Sequence, residues 1–144
     1  MTTHGAQNKA VIRRFFEAFS ANDQVSMKDV LAPELVAYTH GDPNPMSRDS
    51  MLQSIHDWNA IFETHFTIEE QIAEGDKVAT LLTMRAIHNR GEYMGLPPTG
   101  KQAEVSGISI ETIKDGKIVE RQVSSDWHGM MQQLGLLPQP QPSK

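Results

Sequence analysis

The chain has 144 residues, of which 38% are hydrophobic and 22% charged, and its formal net charge is -5. This length and composition are typical of one soluble domain with its own core, and an acidic balance without a basic patch argues against nucleic acid as a partner. The absence of cysteine excludes disulfides and thiol nucleophiles, and no stretch approaches the ~20 apolar residues that span a bilayer, so we expect a cytoplasmic protein without membrane contact.

The first half of the chain predicts three helices. Apolar residues at helical spacing define the first, from about residue 6 to 21, and they are Val11, Ile12, Phe15, Phe16 and Phe19. Ser26 is a candidate cap for a short second helix, and residues 35–38 then favour a brief extended segment. Ser47 is a candidate cap for the third helix, which carries Trp58 on its apolar face.

Beyond Thr64 the spacing of apolar residues changes from helical to alternating, which indicates strands. Four strands are predicted, the first ending near residue 72 and the others covering 77–88, 102–113 and 117–127. A tight turn joins the last two, and a short helical turn is expected after them. Helices followed by hairpin-connected strands predict an α+β fold, in which an antiparallel sheet curls around helices on one side and leaves a pocket.

Five motifs stand in a collinear series along the chain: residues 72–78, His88, and residues 91–101, 115–120 and 126–135. Together they resemble the SnoaL-like polyketide cyclases of the nuclear-transport-factor-2-like superfamily. The resemblance implies a curved antiparallel sheet wrapped around three N-terminal helices, forming a cone with an internal pocket. We therefore expect one such domain over residues 1–138, and the proline-rich segment 139–144 predicts a loose tail.

The resemblance also implies an activity. Such cyclases close a ring by intramolecular aldol condensation on a polyketide-like carbonyl compound, without metal or organic cofactor, and an aspartate near the end of the last strand serves as acid/base. Asp126 matches that aspartate. Two departures from the family pattern predict a more polar pocket and a different substrate: Gln122 replaces a common tryptophan, and Thr64-His65 replaces a common Pro-Asp.

Strand parity gives the expected lining of the pocket. Gln122 and Asp126 share one face of the last strand, and a three-residue turn at 114–116 places Ile110 and Thr112 on that same face. A two-residue turn would shift the register and move this set to the other face. The predicted ligand-binding residues are His88, Gln122, Thr112, Ile110, Trp58 and Phe19. The histidines are dispersed and show no metal-ligand spacing, so no metal site is predicted.

Two other classes of function stay open at this point. One is a non-catalytic binding module for a small aromatic molecule, and the other is a hydratase, epoxide-opening or monooxygenase-type enzyme that uses the same pocket. A buried Asp126 favours an enzyme, whereas a solvated Asp126 favours binding alone. Val119 and Val123 are assigned to the outer face of the sheet, where their apolar side chains predict a homo-oligomer, either a dimer or a tetramer.

Overall fold

The computed structural model describes residues 2–138, except for the side chains of residues 2 and 3. The predicted loose tail at 139–144 lies outside the described residues. In chain order the elements are α1 (Thr2–Ala21), α2 (Gln24–Val30), β1 (Leu31–Thr39), β2 (Met46–Ser47), α3 (Arg48–Asn59), β3 (Glu63–Glu74), β4 (Lys77–Ile87), β5 (Gln102–Lys114), β6 (Lys117–Ser125) and α4 (Trp127–Gln133). None of these helices is long and apolar enough to cross a membrane.

Side-chain caps fix where the two short helices after α1 begin. Asp23, rather than the predicted Ser26, caps α2, because the Asp23 carboxylate accepts a hydrogen bond from the Ser26 backbone N–H at 3.1 Å. Hydrogen bonds from the Ser26 hydroxyl and backbone also lower the pKa of Asp23. The predicted cap of α3 is confirmed, since the Ser47 hydroxyl accepts from the Ser50 N–H at 3.2 Å.

The six strands form one open sheet in the order β2-β1-β6-β5-β4-β3. The predicted α+β fold is confirmed. One detail differs from the prediction, because β1 pairs with β6 in parallel and the sheet is therefore mixed; the other pairs are antiparallel. In this parallel pair the first strand of the chain, β1, lies in the sheet beside the last strand, β6.

The core lies between one face of the sheet and the helices, and it consists of two clusters. The larger is centred on buried residues of α1, β1 and β6, among them Phe15, Leu31 and Ile118. The smaller lies beneath α4 and the connection 88–101, and includes Phe62 and Met130. Strand β5 contributes every second residue to this buried face, which is the pattern of a sheet with one side exposed.

The hairpin between β5 and β6 contains a register change that decides which side chains face the helices. Lys114 pairs with Lys117, so the turn has two residues, Asp115 and Gly116, whose φ angles of 52° and 76° suit a tight hairpin turn. The expected three-residue turn is wrong. The register then shifts between Thr112 and Ile113, because β6 carries Val119 as an extra residue in a bulge.

The bulge reverses the alternation of β6. Ile118, before the bulge, is fully buried. Without an extra residue, Gln122 would share its face; with Val119 inserted, Arg121 and Val123 do so instead. The residues of β6 that we expected in the pocket are therefore on the outer face, and the opposite set faces the helices.

Candidate functional site

A cavity of about 180 Å³ lies between the sheet and the helices α1 and α3. Its walls are mostly apolar and include Phe16, Phe19, Trp58, Phe66, Val123 and Trp127. Among the described residues that line it, Arg121 is the one charged side chain. An apolar cavity with few polar groups is typical of a small-molecule site.

Both tryptophans of the chain line this cavity. The Trp58 indole N–H donates a hydrogen bond to the Thr64 hydroxyl at 2.9 Å, which satisfies the polar atom of a partly buried ring. Trp58 and Trp127 meet edge to face, with ring centroids 5.8 Å apart. The indole of Trp58 is thus fixed, and one wall of the cavity is aromatic.

Arg121 belongs to a buried polar network on the inner face of the hairpin. Its cross-strand partner is Glu111, which is fully buried, and the Arg121 Nε donates to the Glu111 Oε2 at 3.0 Å. The other carboxylate oxygen accepts from the Ser109 hydroxyl at 3.0 Å. Burial raises the pKa of Glu111, while the charge of Arg121 and the hydrogen bond from Ser109 act in the opposite direction.

Aromatic rings hold the guanidinium group of Arg121 on a second side. Its central carbon lies 5.1 Å from the centroid of the Phe15 ring and 5.8 Å from that of Phe16, within the range of cation–π contacts. The hydrogen bond to Glu111 uses Nε only. Within residues 2–138 the two Nη groups have no hydrogen-bond partner, so they are available to a ligand oxygen.

A glycine leaves room for one of the hydroxyl groups in the wall. Ser125 lines the cavity and pairs across the hairpin with Gly107. A Cβ atom added at Gly107 would lie 2.9 Å from the Ser125 Oγ, which is too close for a real side chain. The missing side chain at position 107 therefore allows the Ser125 hydroxyl its place at the cavity.

Comparison with known proteins identifies the family. The model of the SnoaL-like polyketide cyclases matches residues 9–134, most of the chain. The chain belongs to this family. No curated protein matches it.

Solved structures agree with the SnoaL-like assignment. IdmH from Streptomyces antibioticus, described as "a putative polyketide cyclase", is 31% identical with a TM-score of 0.81, over 90% of this chain and 99% of IdmH. AclR from Streptomyces galilaeus, described as "a putative hydroxylase", is 26% identical with a TM-score of 0.85, over 95% of this chain and 86% of AclR. An LEH-like epoxide hydrolase from M. tuberculosis, 15% identical over 90% of each chain with a TM-score of 0.74, shares the fold.

The structure of this SnoaL-like chain places Asp126 differently from our expectation. We expected its side chain to point into the pocket, but it is exposed and does not line the cavity. It caps α4, where its carboxylate accepts from the Gly129 N–H at 2.9 Å, and a Cβ at Gly129 would overlap that carboxylate. Its chain neighbours Ser125 and Trp127 do line the cavity, so Asp126 lies beside the site. The acid/base role stays a prediction.

His88 has a structural position. It is 1% exposed and is absent from the cavity lining. Its Nε2 lies 2.7 Å from the Gly91 carbonyl oxygen, which can only accept, and its Nδ1 lies 3.3 Å from the Thr99 hydroxyl. The ring of His88 thus forms hydrogen bonds near both ends of the connection 88–101. It does not line the cavity, where we expected it to bind a ligand.

Three further predicted ligand-binding residues, Gln122 on β6 and Ile110 and Thr112 on β5, lie together on the outer face of the sheet. Ile110 is 41% exposed and pairs with Gln122, and the Thr112 hydroxyl accepts a hydrogen bond from the Lys77 ammonium at 3.0 Å. None of them lines the cavity. Trp58 and Phe19 lie in its wall, as expected.

Two residues of the site, Glu111 and Arg121, were missed by the sequence analysis. A signal for Glu111 exists, because it has the parity of Ala103, Val105 and Ile113, all buried. A charged residue at such a position needs a partner of opposite charge. Arg121 could be found only with the register of the hairpin, since the bulge decides its face. Within the described residues no group of three or more His, Asp or Glu side chains is placed to hold a metal ion.

Proposed function

We propose that the cavity binds a polyketide-like carbonyl compound and that the protein closes a ring in it by an intramolecular aldol reaction, with no metal or organic cofactor. The family and the 31% identical neighbour support a cyclase- or isomerase-type function. The observation that carries the proposal is the apolar cavity with its single charged side chain, Arg121. Such a cavity shields the buried part of a bound ring from water and offers one charged donor to a carbonyl oxygen.

The reaction needs a base for a carbon-bound proton. In our proposal the Asp126 carboxylate takes a proton from a carbon that lies between two carbonyls. The resulting enolate carbon then attacks a further carbonyl carbon of the same molecule. The new alkoxide oxygen then takes the proton back from Asp126, so the step is balanced. Because Asp126 lies beside the cavity, between Ser125 and Trp127, the reacting carbon has to reach the edge of the site.

A second candidate function has an observation in its favour. An exposed Asp126 that caps a helix is accounted for without catalysis, since aspartate is among the preferred residues at this position. The protein would then be a binding module that holds the same kind of ligand in the same cavity without converting it.

Asp126→Asn tests the proposal, with Asp23→Asn as the matched control. Both aspartates cap seven-residue helices, and asparagine caps helices about as well as aspartate, so both variants should fold like the wild type. With small aromatic poly-β-keto esters as substrates and mass spectrometry of the products, Asp126→Asn should lose ~100- to 10,000-fold in turnover and Asp23→Asn almost none. A variant Asp126→Asn that keeps more than about a tenth of wild-type turnover contradicts the base role. Binding of the esters by the wild type without conversion would favour the binding module.

We also propose that the chain forms a homo-oligomer through the outer face of its sheet. Val123 lines the cavity, so it cannot serve this purpose as we expected. The outer face instead exposes another set of large apolar side chains: Tyr38, Ile72, Leu81, Ile108 and Ile110. The register makes them neighbours, since Ile110 lies between Gln122, which pairs with Tyr38, and Ala79, which pairs with Ile72.

A further inference from the structure

We propose that Arg121 binds the ligand through a negatively charged oxygen, phenolate or enolate, and that it restricts the site to compact aromatic compounds with such an oxygen. The inference deepens the proposed function and rests on it for the existence of a ligand in the cavity. It does not depend on Asp126, because a binding module would use Arg121 in the same way.

The geometry leaves the guanidinium group with one free edge. Glu111 occupies its Nε and the Phe15 ring lies 5.1 Å from its central carbon. The two Nη groups have no hydrogen-bond partner in residues 2–138, and the side chain lines the mostly apolar cavity, so we infer that these donors meet the ligand there. The Nη groups are not among the buried polar atoms that lack a partner, so they keep contact with solvent in the free protein, and a ligand that displaces this solvent has to supply an acceptor. A charged oxygen makes the strongest hydrogen bond to such a group.

Glu111 acts as a positioning residue. Its carboxylate fixes the orientation of Arg121 and itself accepts a hydrogen bond from the Ser109 hydroxyl. The Nη donors of Arg121 are therefore preorganised before a ligand binds. The side chain of Glu111 is fully buried and is not part of the cavity wall, so it does not touch the ligand. Its charge also balances that of Arg121 in the absence of a ligand.

The size of the cavity limits the ligand. A cavity of about 150 Å³ in an engineered protein holds benzene, whereas sites for drug-sized ligands measure roughly 300–1,000 Å³. The cavity here, at about 180 Å³, lies close to the lower figure. We infer a ligand whose buried part consists of one or two rings, and the aromatic walls formed by Phe16, Phe19 and Trp58 suit flat rings.

4-Nitrophenol is a suitable probe, because it is a single ring with one acidic oxygen and absorbs visible light as the phenolate. Trp58 and Trp127, the two tryptophans of the chain, report its binding by fluorescence quenching. We expect the wild type to bind the phenolate about 10-fold more tightly than the phenol, which lowers the pKa of the bound probe by about one unit. In Arg121→Met the apolar cavity should reverse this preference, because burial without a cation favours the neutral phenol.

Two controls keep the test decisive. Arg85→Met makes the same substitution on β4, where Arg85 bonds to Gln102, outside the cavity; it should leave the preference for the phenolate unchanged. If Arg121→Met does not fold, Arg121→Lys keeps the charge without the planar fork and should bind the phenolate more weakly than the wild type while still preferring it. A wild type that prefers the phenol, or that shows no quenching at millimolar probe, would overturn the proposal.

The phenolate-binding experiment and the turnover of keto esters can succeed or fail independently. A preference for the phenolate in a protein that converts no keto ester leaves the Arg121 proposal intact and removes the aldol reaction. Turnover of keto esters by a protein that prefers the neutral phenol supports the proposed reaction and overturns the role of Arg121.

Discussion

Successive side chains of β6 point to opposite faces of the sheet, so neighbouring residues of this strand have different surroundings. On the inner face Arg121, Val123 and Ser125 line the cavity, and on the outer face Gln122 and Ser124 alternate with them. The inner set contains a charge and a hydroxyl in a mostly apolar cavity, and the outer set lies beside exposed isoleucines of β5. A single bulge, at Val119, therefore selects which set of β6 side chains lines the cavity.

The largest effect is expected on the inner face. Glu111→Leu removes one partner of a buried ion pair and leaves Arg121 without its counter-charge, which should lower the free energy of unfolding by about 3–5 kcal/mol. Urea denaturation followed by circular dichroism measures this loss. Glu120→Leu, on the outer face of the same hairpin, should change it by about 0.5 kcal/mol or less.

The double variant Glu111→Leu/Arg121→Met shows whether the loss comes from the unpaired charge. Replacing both members of a buried pair by apolar residues is often close to neutral, so the double variant should recover most of the stability. If it is as unstable as Glu111→Leu alone, the cost lies in packing around position 111 and the pair has little part in it.

A smaller effect is expected on the outer face. Ile110→Lys places a charge in the middle of the exposed apolar surface, and a two-fold interface would contain that charge twice. Light scattering at micromolar concentration should give at least twice the 16.1 kDa chain mass for the wild type and the single-chain mass for the variant. Val25→Lys, at a 73% exposed position on α2, should leave the oligomer intact. A wild type that is monomeric in this experiment contradicts the proposed oligomer.

Local regularity of the chain decides how much of the structure could be predicted from the sequence. Helical and alternating spacing of apolar residues depends on local chain geometry, so the α+β fold and the cap at Ser47 could be predicted. The family motifs extended this to the overall architecture. Trp58 and Phe19 were correctly placed in the cavity wall because helix faces repeat without interruption.

The residues of β6 could not be placed in the same way. Alternation along a strand holds only while the register is unbroken, and Val119 interrupts it without any glycine or proline to mark the place. Ile108 and Ile110 misled the assignment further, because apolar residues on an outer face look like core. For Asp126, the strand ends at Ser125, so strand parity no longer applies to it.

The inner face should also make stability depend on pH, and Glu111→Gln measures this dependence because glutamine keeps an acceptor for Arg121 without the charge. Burial raises the pKa of Glu111 above its ordinary value of 4.5 in the folded protein, so the folded state holds this proton more tightly than the unfolded chain does. Stability due to Glu111 is then fully present below pH 4.5 and is lost as the pH rises through the folded pKa. The wild type should lose stability relative to Glu111→Gln over this window, by at most about 1.4 kcal/mol per pH unit. Urea denaturation of both proteins from about pH 4 to 8 gives the difference directly, since all other titratable groups are shared and cancel. A difference that grows in favour of the wild type with rising pH would mean that attraction to Arg121 outweighs burial, and the inner face would then hold a stabilising ion pair.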